Sequence, residues 1–186
     1  MEEYPKRKAI RLKGYDYSTP GAYFITVCTK KREQMLSDIV VGTDVPDGPC
    51  PGRKNINKLT VYGKVSDKYI NQINNFYENI SVDKYVIMPN HIHFLIRVIA
   101  DENGNMQHIC GPHGPSGTSV PTKSVISNFV STFKRFCNKE FGENIWQTRS
   151  HDHVIRTQKE YDKIWEYIEM NPLLWKDDCF YVVEKD

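Results

Sequence analysis

An α+β fold, an antiparallel sheet with helices packed on one face, is predicted from three observations. Tyr85–Val98, YVIMPNHIHFLIRV, alternates in its second half. Ile92, Phe94, Ile96 and Val98 fall on one side of an extended strand, and His91, His93, Leu95 and Arg97 on the other. Pro89-Asn90 is turn chemistry, so Tyr85–Met88 reads as the partner strand of a hairpin. Tyr23–Thr29, YFITVCT, is dense in β-branched and aromatic residues with apolar side chains on both faces, and reads as a central strand. Finally, helical stripes follow in an order that places helices between and after these strands.

The first stripe, Val61, Val65, Tyr69, Ile73 and Phe76, spans Leu59–Tyr77, with Gly63 as a mild cost inside it. The second spans Ser124–Phe141 through Ile126, Phe129, Val130, Phe133, Phe136 and Cys137, and Gly142 can stop it. Lys134, Arg135 and Lys139 lie on its polar side. Ile145–Arg156, IWQTRSHDHVIR, is short and extended or looped. In the third helix, Thr157 to Glu160 form an S/T-x-x-E capping box. Tyr161, Ile164, Trp165 and Ile168 make its buried stripe. Pro172 ends it near Asn171, because a residue before proline resists the α conformation. Tyr167 lies off the stripe, and Asn171, four residues on, projects from the same side.

The 186 residues fit one domain, 1–186, with 39% hydrophobic and 12% aromatic residues for its core. Two Gly/Pro-rich loops interrupt it, near 40–56 and 101–121. His108, Cys110 and His113 in the second loop fit a flexible surface better than a metal site. The longest apolar runs are too short to span a bilayer, and the charged start MEEYPKRKAIRLKG is not a signal peptide. Five cysteines, scattered and without CxxC, point to reduced thiols and a cytoplasmic protein without membrane attachment. The net charge of +2 excludes little. Basic clusters at Lys6–Lys13 and Lys30–Arg32 fit either phosphate contact or solvated surface.

The pair His91 and His93 admits two readings. Imidazoles at i and i+2, about 7 Å apart along a strand, can converge on one metal ion, with a third ligand from elsewhere and positions left for substrate. They can equally line a polar sheet face.

MPNHIHFLI resembles the histidine-hydrophobe-histidine motif of the HUH nucleases. EYIEMNPLLW, preceded by IWQTRSHDHVIR, resembles the tyrosine helix of the small single-tyrosine transposases, and GYDYSTPGAYFITVCTKKRE resembles their opening strand. The three blocks in this order are most similar to the REP-associated tyrosine transposases and their IS200-like insertion-sequence relatives. The resemblance implies a ferredoxin-like α+β sandwich with a C-terminal tyrosine-bearing helix. It implies His91 and His93 as metal ligands, Tyr167 as the catalytic nucleophile, and Asn171 at the position of a third ligand. Asn171 also suits a helix C-cap, and both roles stay open. Tyr161 is the rival tyrosine, but its spacing puts it in the core.

The implied activity is single-stranded DNA cleavage and strand transfer near hairpins through a 5′-phosphotyrosine, with Mg²⁺ or Mn²⁺ as cofactor. A phenol of pKa about 10 is only about 0.1% ionised at pH 7, so charge stabilisation at the phosphate matters. Histidine ligands tilt the preference toward Mn²⁺. No G-x-x-x-x-G-K-[ST] loop is present, consistent with rejoining that needs no ATP. Lys134, Arg135, Arg156 and Lys163 are candidates for phosphate contact, with Lys163 alternatively paired to Glu160 or Glu166. Tyr15 and Tyr17 can stack bases or pack the N-terminal arm. The partner is single-stranded or hairpin DNA, and the protein a monomer or homodimer. Two rivals remain: a non-catalytic hairpin DNA or RNA binder, and a metallohydrolase that joins His151 and His153 to the first pair.

Overall fold

A computed structural model describes residues 15–40, 56–73, 77–100 and 124–181. The Lys6–Lys13 cluster, Phe76, most of both Gly/Pro-rich segments, and His108, Cys110 and His113 lie outside the described residues.

Among the described residues, six strands and three α-helices follow in the order β1 (Gly21–Cys28), β2 (Ser37–Val40), β3 (Ile56–Leu59), α1 (Val61–Gln72), β4 (Ile80–Ile87), β5 (His91–Val98), α2 (Val125–Phe141), β6 (His151–Ile155) and α3 (Gln158–Met170). Four strands form an antiparallel sheet in the order β4-β5-β1-β6. With the small hairpin β2-β3 set aside, β1-α1-β4-β5-α2-β6 in this order is the ferredoxin-like arrangement. The α+β architecture expected from the sequence is therefore the one observed.

The sheet separates two packing regions. Ile25 and Val27 of β1 and Ile92, Phe94, Ile96 and Val98 of β5 point toward α1 and α2, where Ile70, Ile73, Ile126, Phe129 and Phe133 meet them in the main core. The opposite face carries α3 over a thinner apolar layer of Leu95, Ile155 and Ile168, with Phe24, Tyr161 and Ile164 packed against it. The alternation of β5 is thus realised residue by residue.

Local chemistry sets the helix limits. Ser124 caps α2 by accepting the Ser127 amide, and Gly142, at φ 76°, takes the left-handed conformation that ends it. Thr157 accepts the Glu160 amide at the start of α3. The return arm of the capping box is displaced by one residue: the Glu160 carboxylate accepts the Arg156 amide at 2.9 Å.

Three expectations change, and one open alternative closes. The buried side of α1 is Gly63, Ser66 and Ile70, whereas Val61 is 75% exposed. A Cβ at Gly63 would collide with the Leu36 carbonyl, so glycine is there for close approach to the β2 segment. Trp165 is exposed rather than in the stripe of α3; the Lys84 ammonium lies 4.3 Å from its ring centroid and covers it. Val40 and Ile56, at the edges of the first Gly/Pro-rich segment, pair as strand ends. Tyr17 is buried in the main core with Tyr15 edge-on at 5.1 Å, so these rings pack the start of the sheet.

Candidate active site

The register of the central strands builds the site. His91 opens β5 opposite Cys28, and His93 stands opposite Thr26 of β1. Both imidazoles face α3 and are buried, at 0% and 1% exposure. Their Nε2 atoms lie 3.0 Å apart.

Each outer nitrogen is held. His91 Nδ1 lies 2.9 Å from Asn90 Oδ1. The Asn90 amide is oriented by its own donation to the carbonyls of Phe180 (2.8 Å) and Arg32 (3.3 Å). Its oxygen must therefore accept from His91 Nδ1–H, which leaves the His91 Nε2 lone pair pointing inward. His93 Nδ1 meets Thr26 Oγ1 at 2.8 Å. A hydroxyl can donate or accept, so His93 can present either a proton or a lone pair at Nε2. Burial, followed by the nearby Arg32 charge, pushes His91 down to about 3. Burial and then His91 hold His93 well below the usual imidazole range, against an opposing pull from Asp178. Both rings are neutral at pH 7, the state in which imidazole ligates metals.

Tyr167 comes from α3. Its ring is 39% exposed, but its hydroxyl points inward, 3.3 Å from His93 Nε2, and donates to Asp178 Oδ2 at 3.2 Å. Phe24 packs edge-on against Tyr167 and stacks on His93. Burial of the hydroxyl and the Asp178 charge raise the phenol above its ordinary pKa, so it is protonated near neutrality. Asn171, directly after α3, is 2% exposed. Its Nδ2 donates to Asp178 Oδ2 at 2.8 Å, while its Oδ1 is buried without a hydrogen-bond partner among the described residues. Asn171 thus holds the C-cap position of α3 while its side chain turns toward Asp178 and the site.

The donor set fits a divalent cation. A buried amide oxygen without a partner normally costs about 1–3 kcal/mol, and the His91 Nε2 lone pair faces the same space. An electrophile there would satisfy the amide oxygen. Ligands at about 2.1 Å from an ion and at right angles stand about 3.0 Å apart, the separation of the two Nε2 atoms.

Asp178 had no signal in the sequence. It lies beyond Pro172, after α3 has ended, so its eleven-residue spacing from Tyr167 carries no helical meaning, and two features bring it back. Residues Trp175–Asp177 form a 3-10 turn with Trp175 buried, and Phe180 packs on His91 with ring centroids 4.5 Å apart. Lys31 and Arg32, at φ 51° and 60°, hold a left-handed turn that sets the Arg32 guanidinium 4.8 Å from the Phe180 ring centroid.

The other candidates sit elsewhere. His151 and His153 share the α3 side of the sheet but belong to edge strand β6, opposite Thr26 and Phe24. They stand two strand spacings, about 9–10 Å, from β5, and both are exposed. His153 Nε2 pairs with Glu160 at 2.7 Å. The structure does not join the two pairs into one histidine cluster. Lys134 donates to the carbonyls of Gln147 and Thr148, and burial lowers it to about 8. Arg135 lies against Phe136. Both are on α2, which packs across the sheet from the site. Arg156 is exposed in the connection between β6 and α3, and Lys163 is exposed within α3. Tyr161 packs beside Leu95 and donates to Asp83 Oδ2 at 2.8 Å. Among the described residues no helix is long and apolar enough to cross a membrane.

No family model matches the chain. A structure of the REP-associated tyrosine transposase bound to a REP hairpin is similar in fold, with a TM-score of 0.54 and 20% identity over 93% of this chain and 73% of that one. A putative transposase from Deinococcus radiodurans is 17% identical, with a TM-score of 0.38 over 86% of this chain and 95% of that one. An uncharacterized protein of Haemophilus influenzae is 33% identical over 183 residues, covering 95% of this chain and 93% of that protein. The chain has a fold like that of the REP-associated tyrosine transposase, and it belongs to the same family as the Haemophilus influenzae protein.

Proposed function

We propose that the protein is a metal-dependent, single-strand-specific DNA endonuclease and strand transferase of the HUH tyrosine class. One observation carries this reading. Within one chain the Tyr167 hydroxyl reaches 3.3 Å from His93 Nε2, at a pocket where His91, His93 and Asn171 turn three unprotonated or protonation-switchable donor atoms inward. The hairpin held by the solved fold relative supports hairpin DNA as the ligand here.

His91, His93 and Asn171 would hold Mg²⁺ or Mn²⁺, which supplies charge stabilisation at a phosphate oxygen. The protein's own groups do the rest. Asn90 and Thr26 fix the imidazoles. Asp178 directs the phenol oxygen toward the pocket. Tyr167 Oη forms a bond to phosphorus as the bond to the 3′ oxygen breaks; the phenol loses a proton and the departing oxygen gains one. The product is a 5′-phosphotyrosine and a free 3′-OH, and attack by a 3′-OH reverses the step. Only Arg156 and Thr157 join β6 to α3, which supports a site completed by a chain's own helix, in a protein able to act as a monomer. Arg156, exposed just before α3, and Lys163, exposed on it, are candidates for DNA phosphates.

Incubation with single-stranded hairpin oligonucleotides from the gene's flanks, followed by denaturing gels, tests the proposal. A covalent adduct that forms with Mn²⁺, disappears with chelator and is absent from Tyr167→Phe is expected. Tight hairpin binding without adduct under any metal condition would replace cleavage by a purely binding role.

A further inference from the structure

We infer that Asp178 is a direct ligand of the divalent cation, so that the segment after Pro172 completes the metal site; this rests on the metal-dependent reading above. One ring nitrogen each of His91 and His93 and a carboxylate oxygen of Asp178 all lie within 4.8 Å of one another. Two imidazoles and an amide oxygen carry no negative charge. Mg²⁺ and Mn²⁺ favour anionic oxygen donors, and Asp178 brings one to this cluster.

The carboxylate is placed by contacts that need no ion. Phe180 N–H donates to Asp178 Oδ1 at 2.7 Å. Asn90 Nδ2 binds the Phe180 carbonyl, and Arg32 Nη1 binds the Cys179 carbonyl at 3.1 Å. Tyr167 and Asn171 donate to Oδ2. These two donors to Oδ2 are themselves residues of the site, so the carboxylate is turned toward the histidine pair. The donation from Asn171 Nδ2 also turns that amide so that Oδ1 is the atom without a partner. Asp178 thus acts twice, as a donor to the ion and as the group that presents the neighbouring amide oxygen.

Calorimetric titration of the full chain with Mn²⁺ alone tests this, with thermal unfolding in chelator as a fold control. Wild type should bind one ion and His91→Ala should bind none. Asp178→Asn, similar in shape but uncharged, should melt as wild type does and bind at least about tenfold more weakly. Independently of any variant, difference infrared spectra of wild type at one equivalent of Mn²⁺ should show a shifted carboxylate stretch. Asp178→Asn affinity within about twofold of wild type, or an unshifted carboxylate band on stoichiometric binding, would overturn the assignment while leaving the histidine site intact. Wild type that binds no Mn²⁺, or binding that survives His91→Ala, would overturn the metal reading itself and this inference with it.

Discussion

Two histidine pairs of identical spacing stand on the same side of the same sheet, and only one of them builds a pocket. His91 and His93 belong to β5, flanked by β4 and β1, and are covered by Tyr167, Phe24 and Phe180. His151 and His153 belong to edge strand β6 and face solvent, one of them paired with Glu160. The i, i+2 pattern supplies convergence in both places. What differs is desolvation and a partner for each outer nitrogen. Asn90 and Thr26 fix the rings of the first pair with both Nε2 atoms turned inward; on β6 the hydrogen bond to Glu160 points Nε2 of His153 at a carboxylate.

The sharpest break in this comparison is a matched pair of truncations. His91→Ala should abolish Mn²⁺ binding and adduct formation, an effect beyond the 10–100-fold typical of losing a ligand's supporting partner. His151→Ala should leave metal affinity within about threefold, since surface changes away from a site are nearly neutral. Equal losses in both variants, read by titration and adduct gels, would restore the single histidine cluster.

A smaller effect concerns pH. His91 is held down to about 3 by burial and His93 is lowered in the same direction, whereas both imidazoles in the unfolded chain protonate near 6.5. Between these values the unfolded state binds more protons. Stability of metal-free protein is therefore full above pH about 6.5 and falls as pH drops toward 3, by at most about 1.4 kcal/mol per pH unit for each buried ring. Denaturant melts in chelator across pH 7 to 5 should show this slope, and His91→Gln should remove one of its two contributions. A flat profile would mean that the rings are more hydrated than their burial indicates.

The smallest effect belongs to the edge pair. His153→Ala removes a largely exposed contact with Glu160 and should cost less than about 1 kcal/mol, because Glu160 keeps the Arg156 amide. A larger loss in thermal melts, with weaker adduct formation, would make β6 a strut that aims α3 and Tyr167.

Much of this arrangement was legible in the chain. The alternation of β5, the Thr157 cap and the Gly142 stop are local codes, each decided by side-chain direction or backbone conformation within a few residues. The buried side of α1 was legible only in part. Tyr69 and Ile73 of its apolar stripe reach the core, but Val61 does not, because a small surface at Gly63 and Ser66 lets the helix approach the Leu36 carbonyl. Trp165 was misread for a related reason: hydrophobic spacing marks a face without saying whether a lysine stem or the core covers it. The β2-β3 hairpin escaped because its strands are four residues each and border segments rich in glycine and proline.

The sequence by itself determined which residues could share a strand face or a helix face: His91 with His93, Tyr167 with Asn171. Those are consequences of two- and 3.6-residue periods, which need no partner. Only tertiary structure decided that the two sets meet, that Asn90 rather than solvent holds His91, and that Asp178 returns across the site. These depend on sheet order and on the path of the chain after Pro172, where contacts between residues as far apart as Arg32 and Cys179 set positions that no local period encodes.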